Sequence, residues 1–111
     1  MVPQSDACRR ELEPWLQQAV ARLIGDLHPV LILLFGSCAR GTATRHSDLD
    51  LLVVWPTRER PLDRIGRVLT LLPDSPLPVE VIAYTPDELA SRRHTPFMRR
   101  VLAEGRVLYE C

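Results

Sequence analysis

Apolar residues recur along this chain in two different rhythms. Trp15, Leu16, Ala19, Val20, Leu23, Ile24 and Leu27 return every three or four positions, which predicts a helix with one apolar face. Pro14 suits the first turn of that helix, where a missing N–H costs nothing. Asp6 to Glu13 is expected as a separate helical turn leading into it, and Pro29 ends the pattern. Val30 to Phe35 is then an unbroken apolar run between Pro29 and Gly36, the pattern of a strand covered on both faces.

The rest of the chain is punctuated by turn residues. Gly36-Ser37 reads as a turn and Ala39 to Thr44 as a short helix. Asp48 to Val54 predicts a second strand, ended by Trp55-Pro56. Ile65, Val68, Leu69 and Leu72 predict a helix closed by Pro73, and Val79 to Tyr84 a third strand. Thr85-Pro86-Asp87-Glu88 supplies a cap, a proline at the first helical position and acids in the first turn. Thr95-Pro96 repeats that device, Gly105 stops the helix, and Arg106 to Tyr109 forms a last short strand. No internal repeat is present. Helices and strands alternate, so the expected class is α/β (α+β), a small mixed sheet of about four strands flanked by helices. Residues 1–111 are expected to form one domain without a separate acceptor-binding domain.

Composition narrows the class of function. Apolar residues make up 46 %, which leaves no case for disorder. The 14 basic and 14 acidic residues cancel, so direct nucleic-acid binding is not expected. Every basic residue is Arg, a side chain suited to bidentate phosphate or carboxylate contacts. Cys8, Cys38 and Cys111 are widely spaced and form neither a disulfide framework nor a zinc pattern. The apolar runs are far too short to span a membrane, and the start of the chain lacks a signal-peptide pattern, so a cytoplasmic protein is expected.

The chemistry concentrates in Gly36-Ser37-Cys38-Ala39-Arg40-Gly41 and Ser47-Asp48-Leu49-Asp50. Residues two apart on a strand share a face, so Asp48 and Asp50 project together while Leu49, Leu51 and Val53 enter a core. Two adjacent carboxylates repel each other and call for a cation. A hard oxygen site with room for substrate phosphates suits Mg2+. The loop after the first strand offers free N–H groups at a helix start, with close backbone approach at Gly36 and a hydroxyl at Ser37. Glu80, a charge inside the apolar run Val79 to Ile82, is the candidate third carboxylate and proton acceptor.

Gly36-Ser37, ten residues, then Asp48-Leu49-Asp50 resembles the signature of the DNA polymerase beta-like nucleotidyltransferase superfamily. The resemblance runs from about Val30 to Tyr109 and includes the terminal strand. It implies the nucleotidyltransferase fold, with Asp48 and Asp50 as paired metal ligands and Glu80 as the third acid, where many relatives carry Asp. It also implies Gly36 and Ser37 as triphosphate-binding residues, two Mg2+ ions, and ATP as substrate. Arg40 reads either as a phosphate contact or as a helix-surface ion pair. Arg45 and His46 read as solvated loop, His28 and His94 as structural. Arg92-Arg93 and Arg99-Arg100 read as solvated helix faces or a basic patch.

Within that superfamily the chain resembles the minimal nucleotidyltransferases that act as antitoxins beside a small helical HEPN protein. The resemblance implies transfer of AMP from ATP to a Tyr of that HEPN toxin. Two alternatives stand beside it: the catalytic subunit of a small-molecule, antibiotic-type nucleotidyltransferase, or a non-catalytic antitoxin that acts by contact alone. Phe97, Val101 and Leu102 offer an apolar helix face for self-association.

Overall fold

The computed structural model describes residues 4–44 and 46–111, with side chains from Leu12 onward. Arg45 and Cys8, both considered above, fall outside the described side chains. Helix α1 (Gln4–Leu27) leads into strand β1 (Leu31–Phe35), short helix α2 (Gly36–Arg40) and strand β2 (Leu49–Val54). Helix α3 (Pro61–Leu71), strand β3 (Val79–Tyr84), helices α4 (Pro86–Arg92) and α5 (Pro96–Glu104), and strand β4 (Arg106–Glu110) complete the order. The four strands form one mixed sheet in the order β3-β2-β1-β4. β1 pairs antiparallel with β2 and β4, whereas β2 and β3 run parallel and are joined through α3.

The sheet is covered on both faces, as the apolar run of β1 anticipates. On one face, Ile32, Leu34, Leu49, Leu51 and Val53 pack under Leu16, Ala19 and Leu23 of α1 and Val68 of α3. On the other, Leu33, Leu52 and Val54 pack under Met98 and Val101 of α5. A β-carbon on Gly105 would overlap the Leu33 side chain, so a glycine is needed where α5 hands over to β4.

Polar ties fix the helices to this sheet. Arg22 of α1 grips Asp74 with both terminal nitrogens, at 2.6 and 3.0 Å, and Trp15 donates to the same carboxylate at 3.2 Å. Arg64 of α3 is buried, 7 % exposed, and satisfied by the Glu59 carbonyl at 2.8 Å and the Glu88 carboxylate at 2.5 Å. Glu88 also closes the capping box of α4 with Thr85. Among the described residues, no helix is long and apolar enough to cross a membrane.

Three sequence expectations shift. Residues Asp6 to Glu13 are not a separate turn but belong to α1, which carries Pro14 inside it at the loss of one backbone bond. The short helix begins at Gly36, not at Ala39, and ends at Arg40. Gly41, at φ 75°, sends its N–H back to the Ser37 carbonyl and closes the helix before Thr44. Strand β2 starts one residue late, at Leu49, which leaves Asp48 in the approach to it. His28 has a structural place after α1: it adopts φ 51° and its N–H bonds the Ile24 carbonyl at 3.1 Å.

Candidate active site

The middle of the sheet brings three sequence candidates together. Asp50 is the second residue of β2, and its registered neighbour on parallel β3 is Glu80. Asp48 precedes it by two positions, just outside the strand, and its negative charge reaches Asp50. On the other side, antiparallel β1 places Phe35 opposite Asp50. One row across the sheet therefore reads Glu80, Asp50, Phe35. Asp50 is half-buried and Glu80 exposed on the edge strand.

Gly36 follows Phe35 directly and turns the chain from β1 into α2 at φ 72°. Its backbone lies against Asp50, so a β-carbon there would overlap the carboxylate oxygen Oδ2. The conformation and the contact each demand glycine. The segment that returns from α2 to β2 is tightly held. Thr42 N–H bonds the Ser37 carbonyl at 3.0 Å, Thr44 N–H bonds Ser47 Oγ at 2.8 Å, and Ala43 is buried. Cys38 donates its thiol to the Asp48 carbonyl at 3.4 Å and packs on the α1-side core. Bonds at Thr42, Thr44, Ser47 and Cys38 thus tie α2 to the approach of β2.

The electrostatics of this row are those of crowded acids. Burial is the first cause that pushes the Asp50 carboxyl up, to about 6. A hydrogen bond shared with Glu80 and the negative charges of Glu80 and Asp48 add to it, while Arg40 opposes it. Arg40, on the last turn of α2, pairs with Glu104 of α5 at 3.6 Å. Among the described residues no three His, Cys, Asp or Glu side chains already stand in a metal-holding arrangement. Asp50 and Glu80 meet directly, and Asp48 acts on Asp50 through its charge. His46 is exposed and its N–H bonds Thr44 Oγ1 at 3.2 Å, as a solvated loop residue should.

Comparison with known proteins decides the family. The model of the nucleotidyltransferase domain matches residues 15–109, nearly the whole chain. This chain belongs to the nucleotidyltransferase domain family. The nucleotidyltransferase is 31 % identical over 106 residues to "putative protein adenylyltransferase MJ1305" of Methanocaldococcus jannaschii, spanning 89 % of this chain and 69 % of that protein. In fold it is similar to a crystal structure of a "putative nucleotidyltransferase" from Sulfolobus solfataricus, with a TM-score of 0.70 at 18 % identity, covering 99 % of this chain and 90 % of that one. It is also similar to a chain in the crystal structure of a toxin–antitoxin with AMP-PNP, with a TM-score of 0.60 at 26 % identity, covering 86 % and 73 % of the two chains. The fold expected from the sequence is thus the fold of these nucleotidyltransferases.

Two side chains beside the acids carry no signal in the sequence. Phe35 reads there as the end of a core strand, and Glu104 is not singled out. Only the pairing of β1 with β2 and the packing of α5 bring them next to Asp50 and Arg40. Arg92, Arg93, Arg99 and Arg100 are exposed, and two of them are engaged: Arg92 lies over the Tyr84 ring at 4.8 Å, and Arg100 pairs with Glu104 at 3.6 Å.

Proposed function

We propose that this nucleotidyltransferase is an Mg2+-dependent adenylyltransferase that moves AMP from ATP to a tyrosine of a partner toxin, and so acts as an antitoxin. The observation that carries this reading is the row of acids beside Gly36. Asp48, Asp50 and Glu80 offer only hard oxygen donors, and Glu80 and Asp48 add to the burial that makes Asp50 costly to ionise. That donor set fits a divalent cation. Asp48, Asp50 and Glu80 would hold it. When bound, it would offset the triphosphate charge and polarise the reacting oxygens.

The chain's own groups do the rest. Backbone N–H groups at Gly36 and Ser37, with the Ser37 hydroxyl, hold the phosphates, and Arg40 adds positive charge beside them. The phenol oxygen of the acceptor attacks the α-phosphorus, the bond to the bridging oxygen breaks, and pyrophosphate leaves. Glu80, exposed at the open edge of the row, takes the phenol proton. The relatives support the choice of acceptor and nucleotide: one carries the name of a protein adenylyltransferase, the other is a toxin–antitoxin crystallised with AMP-PNP. We take the partner to be a small helical protein of the HEPN type.

Intact mass of such a partner, co-expressed with this chain, tests the reading. One or more added AMP units are expected with the unmodified chain and none with Asp48→Asn, Asp50→Asn. An unmodified partner that is nevertheless neutralised would instead favour inhibition by contact. Label appearing on a small molecule would favour the antibiotic-type reading.

A further inference from the structure

Beyond the acids, the row Glu80, Asp50, Phe35 continues into a cleft. Phe35 and Asp50 are registered partners on adjacent strands, with backbones about 5 Å apart. Phe35 shares the α5 side of the sheet with Leu33, Leu52 and Val54. Its ring meets the edge of Phe97 at 6.3 Å between centroids and 86° between planes. Between α2 and α5 lies a cleft of about 390 Å3, lined by these two rings, Val101, Arg40, Arg100 and Glu104, and reaching Gly36. Phe97 is 55 % exposed although it is a large aromatic at the start of a helix whose Met98 and Val101 already fill the core.

The far end of this cleft is polar and mixed in sign. Glu104 sits between Arg40 and Arg100, 3.6 Å from each. Along one face of α5 the cleft thus offers an exposed aromatic ring at Phe97 and, two turns on, a carboxylate acceptor at Glu104 between guanidinium donors. A planar ring that carries both an exocyclic amino group and acceptor nitrogens matches that set of groups. The position separates the two substrates as well. Glu80, which takes the acceptor's proton, is on the β3 side of Asp50, and the cleft is on the β1 side, at the Gly36 that borders the phosphates.

We propose that the cleft between α2 and α5 is the nucleobase site of the triphosphate substrate, with the ring against Phe97 and an exocyclic amino group donating to Glu104. This rests on the reading of the acids as a nucleotidyl-transfer centre. It adds which residues hold the base, and why an amino-bearing base is taken over uracil.

Binding by the full-length chain in Mg2+ buffer tests it, with ATP, UTP and inorganic tripolyphosphate as separate probes. Phe97→Ala is expected to weaken ATP by about tenfold and to leave tripolyphosphate within about twofold. Circular dichroism and melting temperature confirm that the variant is folded. Glu104→Ala is expected to reduce the preference for ATP over UTP by about tenfold, again with tripolyphosphate unchanged. Unchanged ATP affinity in folded Phe97→Ala would overturn the proposal, and a fall in transfer to the partner in the same variant would hand the cleft to the acceptor. Equal loss of ATP and tripolyphosphate would overturn it too, by making the cleft a phosphate site. If the unmodified chain binds neither probe, the transfer-centre reading fails first and the base site falls with it.

Discussion

Gly36 and Asp50 touch: the backbone of the first shuts out any side chain larger than hydrogen, because the carboxylate of the second fills the space. Gly36→Ala therefore meets two obstacles, a left-handed φ of 72° and an overlap with Asp50. The expected loss of stability is on the order of 1–3 kcal/mol. Transfer should fall by more than about a hundredfold, because the acid and the backbone proposed to hold the phosphates move apart. Urea denaturation and a transfer assay on the same preparation check both numbers. Full activity in Gly36→Ala would disprove the stated contact.

Asp50 carries a stability cost that grows with pH. Its folded pKa, about 6, lies above the usual carboxylate value, so its contribution is complete at low pH and is lost as pH rises through about 6. Asp50→Asn should then be more stable than the unmodified chain at pH 8, by on the order of 1 kcal/mol once solvent screening of this half-buried group is allowed for. The difference should close toward pH 4. Denaturation curves at the two pH values, without divalent metal, show whether the gap opens in that direction.

Arg64 and Glu88 run the other way. The Thr85 N–H and then the Arg64 guanidinium hold the Glu88 carboxyl below its ordinary value, so its stabilisation is present at neutral pH and is lost as pH falls through that lowered value. Arg64→Ala strips the Glu59 carbonyl and the Glu88 carboxylate of a buried donor, at an expected cost of about 3 kcal/mol. Glu88→Gln should flatten the acid limb of the stability curve. A melting temperature for Arg64→Ala equal to that of the unmodified chain would count against the tie between α3 and α4.

Withdrawal of divalent metal tests the acids as a group. EDTA should bring transfer to background and abolish thermal protection by ATP, and excess Mg2+ should restore both. With Mg2+ and ATP at about a hundred times Kd, stabilisation of about 2.7 kcal/mol corresponds to a rise of roughly 10 °C in Tm. Protection by ATP that persists in EDTA would separate nucleotide binding from the acids.

Much of this architecture is legible in the residues because its punctuation is local. Thr85-Pro86 and Thr95-Pro96 mark the starts of α4 and α5, and Val79 to Tyr84 has the bounds of β3, since caps, prolines and apolar runs act within a few positions. Gly36-Ser37 and Asp48-x-Asp50 are legible for the same reason. The bounds of α2 are not, because its end depends on the left-handed turn at Gly41, which competes with Ala39 to Thr44 as a plausible helix. The burial of Arg64 is also hidden: on α3 it occupies a polar position in the pattern, and only Glu88, 24 residues on, makes burial tolerable. The cleft is invisible from sequence because Phe35, Phe97 and Glu104 meet through tertiary packing alone.

Glu80 reaches the acids by a different route from its companions. Gly36 and Asp50 meet through the antiparallel pairing of β1 with β2, whereas β3 joins the margin of the sheet through the α3 crossover. A marginal parallel strand is among the last to form and the first to open. On the proposed reading, opening of that margin would remove the proton acceptor Glu80 while Gly36 stays against Asp50. The power to modify another molecule would, on that reading, depend on whether the edge strand of this one stays paired.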